Sequence, residues 1–243
     1  MRPYQTGDDL RMVDWSVYRR LGKLYVRRYQ AEQSRVITVL LDTSASMAHP
    51  AQRFRGAQLL AGAIAVVSAR QLDRVAVVHF SEDLGETRAR TQRGGLPTEL
   101  LAYISNLRCA GRTAIASAMG SAALSAPRGS TVVVVTDCYD GDGLRDGVSA
   151  LAARGCETVI VHLAGAADRE PPLRGGALLE DAELRETREV YLDERRRRAY
   201  RTAFADWIAE LRGEVALAGG RYLTVDYAAP VDGTIRRLVG EGR

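Results

Sequence analysis

VITVLLDTSAS, residues 36–46, sets the class of fold. Its first six residues are β-branched or aliphatic with no polar alternation before Asp42, the pattern of a strand buried on both faces and so central in a parallel sheet. A carboxylate and two hydroxyls then follow at alternating positions, Asp42, Ser44 and Ser46, where the chain must leave the sheet for a helix. Ligand sites of open α/β sheets lie at the carboxyl ends of strands, near the point where strand order reverses. The loop after Asp42 is therefore a candidate site.

The rest of the chain repeats the strand-then-helix pattern. An Ala- and Leu-rich segment over 54–72 predicts a helix packed closely on a sheet, and RVAVVHF (74–80) a second strand. Residues 84–92 are polar and read as an edge strand, with helical pattern from Pro97 to Leu107 and a small-residue helix over 113–126. TVVVVTD (131–137) is another buried strand, LRDGVSALAARG (144–155) a helix and ETVIVHL (157–163) a strand. Residues 165–185, with Pro171, Pro172, Gly175 and Gly176, read as an irregular excursion before the short run EVYLD. A long helical stretch from Glu194, the strand RYLTV (221–225) and a short closing helix complete the chain. The alternation predicts an α/β, doubly wound, mostly parallel sheet with helices on both faces.

Bulk properties narrow the function classes. Hydrophobic residues make up 46% and charged residues 26% of the 243, the range of ordinary globular proteins. Net charge is +4, and eight basic residues against four acids in positions 1–35 would account for that excess. A basic segment attracts phosphate, yet acids interleave with it and Lys23 is the only lysine, so Arg richness by itself reads as a coding bias. Cys109, Cys138 and Cys156 are too few and too scattered for a disulfide framework or a Cys-x-x-Cys site, which suggests a reducing, cytoplasmic setting. No apolar run is long enough for a membrane span, and neither a P-loop, a G-x-G-x-x-G nor a nucleophile elbow occurs.

Two residues extend the Asp42, Ser44 and Ser46 set. Thr113 opens a helix after a Gly-Arg turn, and Asp137 closes the strand TVVVV, both on the same sheet edge if those strands are parallel. Hard divalent cations prefer such oxygens, and magnesium takes an octahedral shell that keeps water or accepts an external anion. Each residue also has a plainer reading: the serines and Thr113 as helix N-caps, Asp137 as a turn former. Asp140 and Asp142 read as turn residues, and of His49, His79 and His162 only His49 falls near the loop.

Asp-x-Ser-x-Ser with a later Thr and a strand-end Asp resembles the metal-ion-dependent adhesion site of von Willebrand factor A domains. The N-terminal segment, with Gly7, Asp8, Arg11, Asp14 and Trp15, resembles the signature of the bacterial domain of unknown function 58 family. The two motifs cover residues 3–47 closely and the remainder loosely. The resemblance implies a signature segment at 1–35 packed on a von Willebrand factor A-like domain at 36–243. It implies a metal site of Asp42, Ser44, Ser46, Thr113 and Asp137, with Mg2+ as the ion and Mn2+ or Ca2+ as substitutes. It further implies a non-enzymatic adapter that binds an Asp or Glu of a partner protein, with MoxR-type AAA+ ATPases as the partner class. Two departures stand out: Cys138 replaces the glycine common after the last ligand, and Arg112 places a cation beside Thr113. The alternatives are a metal-assisted hydrolase, which lacks an identifiable base, and a nucleic-acid-binding module using the N-terminal arginines. The run Arg195 to Arg198 reads as a solvated helix face.

Overall fold

The structure is a computed structural model and describes residues 2–5, 13–26, 35–82, 84–85, 97–141 and 143–240. The chain forms two compact units, Met1–Ser34 and Arg35–Arg243. In the first, β1 (Arg2–Pro3) and β2 (Tyr25–Val26) pair antiparallel, and α1 (Trp15–Leu21) lies between them in sequence. Asp14 starts the helix: its Oδ1 accepts from Ser16 N at 3.0 Å and Val17 N at 3.3 Å, pairing amides that a first turn leaves free. Gly22 stops it with a left-handed φ of 63°, its N–H bonding Tyr18 O at 2.9 Å. Within the signature, Asp14 is thus a helix cap, while Gly7, Asp8 and Arg11 lie outside the described residues.

The second unit runs β3 (Val36–Asp42), α2 (Ala51–Arg70), β4 (Arg74–Phe80), α3 (Thr98–Asn106), α4 (Ile115–Ser125), β5 (Thr131–Thr136), α5 (Leu144–Ala153), β6 (Glu157–Leu163), α6 (Ala166–Arg169), β7 (Gly175–Glu180), β8 (Thr187–Leu192), α7 (Glu194–Leu217), β9 (Arg221–Val225) and α8 (Val231–Gly240). Five strands form one sheet in the order β4-β3-β5-β6-β9, every neighbour parallel. Side chains alternate across it. Leu40, Val78, Val132, Val134 and Ile160 face Ile115 and Met119 of α4, Leu144 and Val148 of α5, and Leu211 and Val215 of α7. Val39, Leu41, Val75, Val133 and Val161 face Leu60 and Ala61 of α2, Leu100 and Ile104 of α3, and Ile235 and Leu238 of α8. With both faces covered, an uninterrupted apolar run is what a central strand requires. Each fully buried Leu or Ile contributes about 1.5–3 kcal/mol.

This is the doubly wound α/β architecture expected. Strand order reverses between β3, whose chain continues to β4 on one side, and β5 on the other. The loops after Asp42 and Thr136 therefore leave adjacent strands at the switch point.

One expectation is corrected. Residues 165–185 are not irregular: after α6, β7 pairs with β8 in an antiparallel hairpin, Gly175 opposite Leu192 and Glu180 opposite Thr187. The EVYL of EVYLD belongs to its second strand, and Asp193 is the N-cap of α7. Both strands are largely exposed, so neither carries the buried-face alternation that marks a strand in sequence. The expected edge strand at 84–92 reduces, among the described residues, to a bridge from Phe80 to Leu84, its remainder from 86 lying outside them. No helix among the described residues is long and apolar enough to cross a membrane.

Candidate functional site

Asp42 closes β3 fully buried. Its Oδ1 accepts from Ser44 N at 2.9 Å and its Oδ2 from Thr136 Oγ1 at 2.7 Å, which fixes the carboxylate from both sides. Ser44 precedes a 3-10 turn at Ala45–Ala48 but makes no side-chain cap bond; its Oγ lies 3.0 Å from Ser46 Oγ. The helix-cap alternative therefore does not describe Ser44. Backbone bonds tie this loop to the one before α4: Ala45 N donates to Gly111 O at 2.9 Å, and Ala110 N to Thr43 O at 2.8 Å. Thr113 is carried in on that second loop. Ala114, not Thr113, stands at the N-cap of α4, and Asp140 Oδ2 accepts from Ile115 N at 3.3 Å.

Asp137, just past β5, is also buried. Its Oδ1 accepts from Tyr139 N at 3.3 Å, so the turn-forming role is filled, while its Oδ2 accepts from Arg53 Nη1 at 2.8 Å. Arg53, on α2 and only 2% exposed, also donates to Ser46 O at 3.1 Å and forms an ion pair with Asp168 of α6. Its guanidinium lies 5.2 Å from the Tyr139 ring centre and 5.8 Å from that of Tyr227. Burial, and then the charge of Asp137, push the Asp42 carboxyl up to about 7. Burial likewise raises Asp137, although Arg53 opposes it. Burial followed by both carboxylates pushes the Cys109 thiol up to about 12, and all three thiols are free.

Thr113 meets a partner from another part of the chain. Its Oγ1 donates to Glu183 Oε1 at 2.8 Å and its N–H to Glu183 Oε2 at 3.1 Å. Glu183 sits in the turn between β7 and β8, and its charge is felt at Asp137. Ser46, His49, Arg53, Arg112, Thr113 and Asp168 line one wall of a cleft of about 880 Å3, and Leu179, Glu183 and Val190 of the hairpin line another. His49 and Arg112 thus border the site as their positions in sequence implied.

Hydrogen bonds link Asp42, Ser44, Ser46 and, through Arg53, Asp137 at the switch point, while the Thr113 side chain bonds Glu183 and joins the others only through the backbone ties between the two loops. Sequence reasoning passed over Arg53, Asp168 and Glu183. None carried a signal in sequence: Arg53 shares α2 with Arg55, Arg70, Gln52 and Gln58, and nothing in the pattern sets it apart. Among the described residues no group of three or more His, Cys, Asp or Glu side chains is placed to hold a metal ion, so any cation here would lean on the hydroxyls. Cys138 takes the left-handed φ of 59° that favours glycine, as the family pattern at that position suggests. The arginine run on α7 is corrected in one respect: Arg197 is buried, pairing with Glu170 at 2.8 Å and Glu194 at 3.2 Å.

Similar folds occur in solved proteins. BatB from Bacteroides thetaiotaomicron superposes with a TM-score of 0.56 at 18% identity, over 86% of this chain and 98% of its own. An aerotolerance-related membrane protein from Bacteroides fragilis gives the same values. The pilus adhesin SpaC from Lactobacillus rhamnosus GG, in its open conformation, gives 0.53 at 12% identity, over 87% of this chain and 30% of SpaC. At these identities the likeness is one of fold. Comparison with curated proteins returned no match. Residues 1–210 match the model of the family described as protein of unknown function DUF58, and the chain belongs to that family.

Proposed function

We propose that the protein is a non-enzymatic, cation-dependent protein-binding module, in which Asp42, Ser44, Ser46, Thr113 and Asp137 hold a Mg2+-class ion. The observation that carries this is the Ser44 and Ser46 hydroxyls 3.0 Å apart beside the buried Asp42, in a loop stitched to the one that bears Thr113. The donor set fits a hard cation, being oxygen only, and the repulsion Asp42 feels from Asp137 is one that a divalent charge would offset. When bound, such an ion supplies an electrophilic position that an Asp or Glu carboxylate of a partner completes.

The chain's own residues hold the geometry. Thr136 and the Ser44 amide orient Asp42, Arg53 orients Asp137, and the backbone bonds at Ala45 and Ala110 keep the hydroxyl loops in register. Having few carboxylates at the centre leaves the ion short of negative charge, which favours an external one. The family resemblance supports a MoxR-type AAA+ ATPase as the partner and the cytoplasm as the setting.

Calorimetric titration with Mg2+ and Mn2+ tests the reading. Uptake that disappears in Asp42→Ala and in Ser44→Ala/Ser46→Ala, both still folded by circular dichroism, is the expected result. A folded wild type that takes up neither ion refutes it.

A further inference from the structure

The β7–β8 hairpin has no part in the five-stranded sheet, yet its tip is a closely bonded turn beside the site. Asp181 Oδ1 accepts from Glu183 N and Leu184 N, both at 2.8 Å, and those amides hold the Asp181 carboxyl below its usual range. Asp181 N bonds Glu186 O at 2.7 Å, and Arg185 N bonds Asp181 O at 3.0 Å with Arg185 in a left-handed φ of 60°. A non-glycine residue in that region carries strain of about 1 kcal/mol or more. The turn thus gives up backbone freedom to aim one side chain. That side chain is Glu183, whose two oxygens grip Thr113 by hydroxyl and amide together. A salt bridge is not the explanation, since the two groups it accepts from both belong to Thr113 and are neutral.

We infer that Glu183 is an in-chain carboxylate ligand of the cation site, occupying the position that a partner's carboxylate would otherwise fill. The inference rests on the cation-binding reading above. Each carboxylate oxygen that accepts from Thr113 keeps a second lone pair, so the contact with Thr113 and ligation of an ion bound there are compatible. The hairpin then acts as a tethered competitor, and a partner gains the site by displacing Glu183 from it. Leu178, Leu184 and Tyr191 are exposed on the same hairpin, apolar surface available to a partner that lifts it.

Mn2+ binding followed by water-proton relaxation separates this inference from the reading it rests on. In wild type, Mn2+ binds and added acetate leaves its hydration unchanged, because Glu183 already holds the position. Glu183→Gln keeps an oxygen to accept from Thr113 but loses the charge. It binds Mn2+ at least about tenfold more weakly, the loss seen even for outer partners of metal ligands, with one more coordinated water that acetate removes. Glu186→Gln, in the same turn, behaves as wild type. Acetate that displaces water in wild type, or a Glu183→Gln protein that binds Mn2+ as wild type does, overturns the inference alone. Wild type without Mn2+ binding, or binding that survives Asp42→Ala, overturns both.

Discussion

Replacing Arg53 with methionine removes a guanidinium that bonds Asp137 at 2.8 Å and pairs with Asp168, with all three side chains at most 8% exposed. Methionine keeps much of the length and apolar stem, so the change is mainly one of charge. Asp137 would retain the Tyr139 amide and Asp168 the Gly165 amide at 2.8 Å, but neither would have a counter-charge. Stripping one partner from a buried ion pair costs about 3–5 kcal/mol, because the remaining charge stays desolvated. For a unit of this size each kcal/mol lowers Tm by about 2–4 °C, so Arg53→Met should melt about 6–20 °C below wild type in chelator. The triple variant Arg53→Met/Asp137→Asn/Asp168→Asn removes the stranded charges and should recover most of that loss. Added Mg2+ should raise the Tm of Arg53→Met more than that of wild type, since the ion would replace the missing charge at Asp137. Thermal melts followed by circular dichroism, with and without Mg2+, are sufficient. A single variant melting within about 2 °C of wild type, against the 6 °C minimum worked above, would show that Arg53 does not carry the network.

Acid stability should depend on His162. Burial, then the nearby Arg53 and Arg169, lower its pKa from 6.5 to about 3. The unfolded chain therefore binds the proton first, and stability is lost as pH falls through 6.5 toward 3, by about 2 kcal/mol at pH 5. Asp42, raised to about 7, contributes with the opposite sign in the metal-free protein, so the quantity to measure is the difference between wild type and His162→Asn in urea melts at pH 7.5 and 5. A difference that stays constant between those pH values would contradict the assignment. Gly56→Ala would place a methyl group 2.6 Å from the carbonyl oxygen of Tyr227, where backbone cannot yield cheaply. The clash should outweigh the roughly 1 kcal/mol of helix propensity gained and destabilise by about 1–3 kcal/mol; a more stable variant in chemical denaturation would refute that close approach.

The central strands were legible because burial on both faces leaves no room for a polar alternate, and β3 and β5 state this in consecutive aliphatic residues. Asp42 and Asp137 were legible as candidate site residues because each stands where such a run ends. The hairpin escaped for the converse reason: its strands hide no face, so β7 shows glycines and leucines without period. Arg53 and Glu183 escaped because their meaning is long-range. Arg53 reaches Asp137 and Asp168 across 84 and 115 positions, and Glu183 reaches Thr113 across 70. A one-dimensional pattern carries no trace of such pairings. In sequence Asp14 is only one position of a motif, and its capping bonds give that position a physical reason.

Gly175 lies directly across the ladder from Leu192, so the hairpin begins and ends at one place on the body of the protein. An insertion with coincident ends behaves as a cassette: it can lengthen, shorten or be exchanged without moving the sheet strands to which the chain returns. The five parallel strands and the oxygen-bearing loops would stay as they are while the arm above them changed. On the protein-binding reading proposed above, selection could then vary which protein is received, and how readily, separately from the chemistry that receives it.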